Sequence, residues 1–433
     1  MTLYDNNSPT SEIMLQAFYW DTKLDDPGKW YSILESQLNK ISEAQINLVW
    51  LPPPSKSRVW TYVGYTPMDY YDLGEFKQWV QFEDGDGGHF WSQHDTEATL
   101  YGKKADLLSL LRAMKDLSIK SIADIVINHR AGQQHNSQGE GVWTGDVREI
   151  ASGEMAWGGD DPPEITKFSG GSHFEDDGER EFGTNIAHAN PDARNQIKEW
   201  LLWLKDVIGF DGWRYDYVKG YASKHIGEYN FHTKPYISIG EYWDGNAQLI
   251  YNWIDGSDGF DIDQKSMAFD FPLQSHLRNI FWGDKPFQEL AAWKNSQVSI
   301  TGGWSGKSVT FLDNHDTIRK AYGDFPADDK RLVQGYVFLL THPGIPCIFW
   351  QHMFGRGSNY AYDSIKDLGN FRVNANITNV SGVDILASDS NKYVAMIDNH
   401  VIIKIGDDSW SPFGIPGFWN LKLSGDGWAI WQK

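Results

Sequence analysis

The chain has a single cysteine, Cys347, in 433 residues, which excludes an intramolecular disulfide and any metal site built on thiolates. Positive charge is also scarce: 38 Lys and Arg stand against 58 Asp and Glu, a formal net charge of −20. Nucleic acids and anionic membranes require a basic footprint, so neither is expected as a partner, and a neutral or cationic ligand is favoured. No apolar run approaches 18 residues, so no membrane-spanning segment is expected. The start, Met1-Thr2-Leu3-Tyr4-Asp5, lacks a basic stretch followed by an apolar one. On the chain as given, the expected location is the cytoplasm, or outside the cell if a leader has been removed. Internal repeats and low-complexity tracts are absent from the sequence.

Aromatic residues are abundant. There are 21 Trp, 20 Tyr and 22 Phe, 15% of all residues, within a hydrophobic fraction of 41% that suffices for a large core. Flat rings serve a core equally well, but a groove lined with them suits the apolar faces of sugars or bases. The acidic balance favours sugars.

Short, largely apolar runs, several of them ending in a polar residue, recur along the chain: Ile13–Tyr19, Ile46–Leu51, Ser121–Asn128, Gly212–Asp216, Tyr236–Glu241, Met267–Asp270, Ser308–Leu312 and Pro346–Trp350. Apolarity without alternation fits strands buried on both faces. Helical stripes lie between several of them, at Lys29–Glu43 (Trp30, Ile33, Leu34, Leu38, Ile41), Ala105–Leu117 and Asp192–Val207, the last opened by Asn190-Pro191. Alternating strands and helices imply an α/β protein with a parallel sheet, and eight units over ~350 residues fit a closed (β/α)8 TIM barrel. The expected barrel comprises residues 1–129 and 186–372. Residues 130–185, rich in Gly, Asp, Glu and Pro, form an excursion subdomain after the third strand. Residues 373–433 carry alternating runs at Tyr393–Asp398, Val401–Ile405 and Trp428–Trp431, expected to form a C-terminal antiparallel β domain.

In a parallel barrel the C-terminal strand ends converge on one face, where active sites are built. That places Asp124, Asn128, His129, Arg214, Asp216, Glu241, Asn314, His315 and Asp316 at one mouth. Arg214 and Asp216 are two apart on a strand and face the same side. The guanidinium is expected to hold Asp216 ionised, as a nucleophile requires, whereas Glu241, after Ile239-Gly240, has a more apolar setting suited to a general acid. Such a carboxylate pair carries out glycoside hydrolysis with retention. Other features carry less. Asp84-Gly85-Asp86-Gly87-Gly88 lacks the later glutamate of a calcium loop, Glu175-Asp176-Asp177 reads as a solvated turn, and Gly302-Gly303-Trp304-Ser305-Gly306 reads as a plain loop. Cys347 lies in an apolar run with no base nearby and is expected in the core.

At these residues the sequence resembles the α-amylase family of retaining α-glucan hydrolases, most of all the plant-type and related bacterial enzymes. Four blocks carry the likeness: Asp124-Ile-Val-Ile-Asn128-His129, Gly212-Trp-Arg214-Tyr-Asp216-Tyr-Val-Lys219-Gly220, Ile239-Gly240-Glu241, and Phe311-Leu-Asp313-Asn314-His315-Asp316-Thr317. Trp50-Leu51-Pro52-Pro53-Pro54-Ser55, Gly64-Tyr65-Thr66-Pro67, Leu340–Gly344 and Asp426–Trp431 extend it over most of the chain, most weakly at Lys77–Ala98 and Gln133–Phe182. The resemblance implies a nucleophile at Asp216, a general acid/base at Glu241 and a third catalytic carboxylate at Asp316. Substrate contacts are implied at Arg214, His129, His315, Lys219 and Asp124, with Tyr65 offering its ring as a stacking floor.

It also implies calcium between barrel and excursion, held by Asn128, Asn185 and the backbone at Gly220. Here the chain departs from the family: Asn185 stands where an Asp is expected and Ala187 replaces a second, which weakens a site for a hard cation. Trp350-Gln351-His352 replaces the usual aromatic-Asp-His, and Lys77–Ala98, with Trp79, Phe82, Phe90 and Trp91, looks like an insertion. The expected activity is endo-acting hydrolysis of α-1,4-glucosidic bonds in starch-like glucans by a monomer. The alternatives are glycosyl transfer by the same machinery and an inactive carbohydrate-binding barrel.

Overall fold

The structure is a computed structural model that describes residues 9–22, 28–83, 90–130, 184–186, 188–258, 265–318, 329–355 and 361–433. Each of the eight apolar runs forms a strand, most of them shorter than the run, with the third and the eighth each starting one residue before it. In chain order they are β1 (Met14–Gln16), β2 (Leu48–Trp50), β3 (Lys120–Ile125), β4 (Gly212–Tyr215), β5 (Ser238–Gly240), β6 (Met267–Phe269), β7 (Ser308–Phe311) and β8 (Ile345–Phe349). All pairings are parallel, and β1 pairs with both β2 and β8, so the barrel is closed. Side chains pointing inward meet one another and those pointing outward meet helices, which is why these strands show no polar alternation.

The helices alternate with them: α1 (Trp30–Glu43), α2 (Lys104–Asp116), α3 (Pro191–Trp203), α4 (Ser223–Thr233), α5 (Ala247–Gly256), α6 (Phe271–Phe281), α7 (Asp329–Thr341) and α8 (Tyr362–Asn374). The stripe of α1 is rotated slightly from the expected one, burying Tyr31 in place of Ile33. The helical stretch expected to reach Val207 ends in a π turn, Leu204–Ile208, closed by Gly209 in the left-handed region. Among the described residues no helix is long and apolar enough to cross a membrane. Burial pushes the Cys347 thiol up to about 12, in keeping with a core position.

Of the excursion, only the ends are described. His129–Arg130 pairs antiparallel with Thr184–Asn185, so the chain leaves and re-enters the barrel at one place. Asp84–Gly88 and Glu175–Asp177 lie outside the described residues. The insertion after β2 is a hairpin, Gln78–Glu83 with Phe90–Thr96, although the side chains of its four aromatic residues also lie outside the described residues. Residues 302–306 are not a plain loop: Ile300–Trp304 is a short helix whose N-terminus is capped by Ser299.

The C-terminal domain is a five-stranded antiparallel sheet of β9 (Val383–Asp389), β10 (Lys392–Ile397), β11 (Val401–Gly406), β12 (Asn420–Gly425) and β13 (Trp428–Gln432), in the order 9-10-11-13-12. Helix α8 ends at Asn374, and the first strand of the sheet starts at Val383. Its Tyr393 hydroxyl reaches two barrel-side groups, accepting from Trp293 Nε1 at 3.1 Å and lying 3.0 Å from His342 Nε2.

One glycine governs how the barrel meets the site. A Cβ on Gly240, the last residue of β5, would lie 2.1 Å from Cη2 of Trp253 on α5, so only glycine lets that indole pack against the strand. Gly240→Ala is therefore expected to lower unfolding free energy by about 1–3 kcal/mol, read from denaturant midpoints. An unchanged midpoint would contradict this packing.

Candidate active site

The site grows from Arg214 on β4, paired in register with Asp124 on β3 and Ile239 on β5. Its side chain is 1% exposed. Nη1 donates to Asp124 Oδ1 at 2.7 Å and to Asp216 Oδ1 at 2.9 Å, while Nη2 lies 2.8 Å from Glu241 Oε1. The guanidinium carbon also sits 4.6 Å from the ring centroid of Trp50 and 5.8 Å from that of Tyr65. One cation thus joins carboxylates from the ends of three neighbouring strands.

The register explains how Asp216 and Glu241 meet. Arg214 pairs with Ile239 and Tyr215 with Gly240, and one further step sets Asp216 beside Glu241. Backbone bonds continue the ladder there, from Asp216 N–H to Ile125 O and from Glu241 N–H to Tyr215 O, both 3.0 Å. Adjacent strands lie about 5 Å apart, so the two carboxylates flank one small space. Tyr217 helps to aim Glu241. It adopts a left-handed backbone at φ 40° and donates its N–H to Glu241 Oε2 at 3.0 Å. Such conformations are costly for a bulky residue and cluster where function requires them.

The charge balance differs from the sequence expectation. Glu241 is not in an apolar niche; it shares Arg214 with Asp216. Burial and the neighbouring carboxylates push Asp216 well above the usual carboxylate range, and the guanidinium only partly opposes this. Asp124 is likewise pushed up to about 6, chiefly by burial. One positive charge does not neutralise three buried carboxylates, so the cluster holds on to a proton.

Asp124 is fully buried, and its oxygens accept from Trp50 Nε1 (3.0 Å), Tyr65 OH (2.8 Å) and Arg214. It is held against the guanidinium with no side-chain surface exposed. Tyr65 lies parallel to His315, with ring centroids 5.2 Å apart, and accepts at its carbonyl from His129 Nε2 at 2.7 Å. Burial lowers the His129 pKa, favouring the neutral ring. His315 Nε2 faces Asp316 Oδ2 at 3.4 Å, and the Asp316 side chain keeps 30% of its surface open to the mouth. Asn314 shapes this turn by accepting from the N–H groups of Asp316 and Thr317 at 2.9 and 2.8 Å. Lys219 stands apart from the cluster, paired with Asp244 at 3.0 Å.

His352, in the segment that departs from the family, lies 3.5 Å from Asp313, which in turn faces Arg278. Three contributors escaped the sequence reading. Trp50 and Tyr217 stand inside blocks that carry the family likeness, but nothing in the sequence marks either as part of the site. Gln16 does carry one, as the lone polar residue inside Ile13–Tyr19.

Residues implied in calcium binding come partly together. Asn128 donates through Nδ2 to His129 Nδ1, leaving its buried Oδ1 without a hydrogen-bond partner. That oxygen occupies the space a Cβ on Gly220 would fill, at 1.6 Å. Asn185 enters through its backbone, paired with His129. An orphaned amide oxygen beside a bare backbone fits a hard cation, but among the described residues no three carboxylate or histidine groups converge to hold one.

A closed parallel barrel whose C-terminal mouth gathers carboxylates from separate strands around one arginine defines a glycoside hydrolase. The family model described as the alpha amylase catalytic domain matches residues 13–358, and that of the alpha-amylase C-terminal beta-sheet domain matches 374–432. The chain belongs to the α-amylase family. It is 32% identical over 438 residues to probable alpha-amylase 2 of Arabidopsis thaliana, covering 98% of this chain and 94% of that one. Alpha-amylase 3, chloroplastic, of the same plant is 28% identical over 446 residues, covering 97% of this chain and 44% of that one. Among solved structures, the alpha-amylase of Geobacillus thermoleovorans complexed with acarbose shares the fold, with a TM-score of 0.66, 15% identity and coverage of 100% and 99%.

A pH experiment tests the raised carboxyl. Asp124 binds its proton more tightly in the folded protein than at its ordinary value of 3.8, so its contribution to stability is full below pH 3.8 and lost as pH rises through about 6. The unfolding free energy of the wild type minus that of Asp124→Asn should fall between about pH 4 and 7. A difference that stays flat or rises there would show that Asp124 is not raised.

Proposed function

We propose that the enzyme hydrolyses internal α-1,4-glucosidic bonds of starch, glycogen or maltooligosaccharides with retention at the anomeric carbon. The observation that carries this reading is the single guanidinium joining Asp216 and Glu241 on adjacent strands. Retaining enzymes place their two carboxyl groups about 5–5.5 Å apart, and neighbouring strand ends provide that scale.

In this scheme Asp216 Oδ attacks C1 of the sugar as the bond to the glycosidic oxygen breaks, and Glu241 gives its proton to that oxygen. A glycosyl ester on Asp216 results. Glu241, now ionised, takes a proton from water, whose oxygen attacks C1 and displaces the carboxylate. The first step needs Glu241 protonated and Asp216 ionised, and contact with the substrate has to set that distribution within the buried cluster. Arg214 stabilises the ionised partner. Asp316, His129 and His315 line the mouth and bind sugar hydroxyls, while the Tyr65 ring forms part of the wall beside them.

A calcium ion held by Asn128 Oδ1 and the backbone at Gly220 and Asn185 would tie the excursion to the barrel. Its chemistry is that of a structural cross-link. The neutral donor set makes this a weak site.

Asp216→Asn and Glu241→Gln should each lower kcat on soluble starch by roughly a thousandfold or more while leaving the fold intact, as expected for residues that act as a unit. Wild-type activity in either variant would refute the assignment. Proton NMR of fresh maltoheptaose products should show the α anomer first; the β anomer first would rule out retention. Lengthening products from maltotriose would assign transfer in place of hydrolysis.

Millimolar calcium should raise the wild-type melting temperature by about 2–4 °C and leave Asn128→Ala unmoved. Equal shifts in both proteins, or none in the wild type, would remove the metal from this place.

A further inference from the structure

Gln16 is the last residue of β1, in register with Trp50 on one side and Phe349 on the other. It is 1% exposed and is surrounded in sequence by Met14, Leu15, Ala17 and Phe18, all fully buried. Its Nε2 lies 2.7 Å from His315 Nδ1, while its Oε1 is buried without a hydrogen-bond partner. A half-satisfied amide is a costly way to fill space inside a barrel, where Leu or Met of similar volume would carry no such penalty. The amide is therefore kept for what its other end does.

The other nitrogen of His315 identifies that task. Nε2 faces the Asp316 carboxylate at 3.4 Å, an acceptor that calls for N–H on that side. A neutral imidazole carries one N–H, so Nδ1 then presents its lone pair, and the group opposite must donate. Gln16 supplies that donor from the barrel floor. The plane of the ring is set independently: it is parallel within 6° to both Tyr65 and Trp20, at 5.2 and 6.3 Å, and packs on Phe18 at 5.0 Å. Aromatic neighbours thus fix the plane, but a ring plane cannot select which nitrogen carries the proton.

We propose that Gln16 is a positioning residue that holds His315 in its Nε2–H tautomer, so that this N–H is presented to Asp316 and to the sugar bound between them. The inference rests on the reading of His315 as a sugar contact. Gln16 itself touches no substrate; it acts through the ring.

Nitrogen-15 NMR of histidine-labelled enzyme tests this, with the His315 signal assigned by its loss in His315→Asn. The expected wild-type spectrum shows His315 with a protonated Nε2 and an unprotonated Nδ1. A protonated Nδ1 in the wild type would overturn the proposal, whatever any variant does. Two substitutions then separate positioning from space filling. Gln16→Met keeps the volume and removes the donor; Gln16→Glu keeps the reach but offers only an acceptor.

If the amide donor is what matters, both variants lose about tenfold or more in kcat on maltoheptaose, and Gln16→Glu moves the proton onto Nδ1. If Gln16 only fills space, Gln16→Met retains wild-type kcat and an unchanged His315 signal, and the proposal fails. The spectra decide the tautomer even if the wild type does not cleave maltoheptaose. That result would count against the proposed hydrolysis and would leave the test of Gln16 intact.

Discussion

A guanidinium withdrawn from water is tolerated only when its charge is met on several sides, and Arg214 meets that condition in a way that organises the whole mouth of the barrel. Asp124 holds it from behind, Asp216 and Glu241 from the front, and Trp50 packs against its carbon. Removing any one partner leaves a charge uncompensated in a dry place. The positions of the reacting carboxylates therefore follow from the same contacts that make the arginine affordable. Because one positive charge serves three buried acids, burial raises Asp124 and Asp216 above the usual carboxylate range.

Around this centre the barrel supplies rigidity by backbone register rather than by side-chain packing alone. The ladder between β3 and β4 continues through the N–H of Asp216 and that between β4 and β5 through the N–H of Glu241, so hydrogen bonds between adjacent strands fix both positions. Gly240 admits Trp253 against the back of β5, and Tyr217 gives up a relaxed backbone to direct its N–H at Glu241. The histidines are supported differently. His129 is fixed through the Tyr65 carbonyl and His315 through stacked rings and the Gln16 amide.

Much of this was legible in the sequence, for a simple reason. A strand buried on both faces must be apolar throughout, so a polar residue ending such a run stands out, and the strand ends converge once the sheet closes. Asp216 and Glu241 could be picked out in that way, and Asp316 by its place just beyond β7. Less legible was anything that depends on which strand end lies beside which. The expectation of an ionised Asp216 and an apolar setting for Glu241 treated each residue with its sequence neighbours, whereas both share one guanidinium. Gly302–Gly306 read as a plain loop because it lacks the strand–helix context of a phosphate loop, yet Ser299 caps a short helix there through the Gly302 N–H.

The sequence by itself determined the kinds of groups available: a barrel-forming periodicity, a strongly acidic composition, and four blocks of residues that resemble those of the α-amylase family. Only the tertiary structure decided their relations. It buried Asp124 against Arg214, made Gln16 the partner of a histidine 299 positions away, and left the Asn128 amide oxygen without a hydrogen-bond partner beside Gly220. Local sequence fixes which side of a strand a residue faces. Which strands are neighbours, and hence which charges share a proton or a cation, depends on closing the sheet.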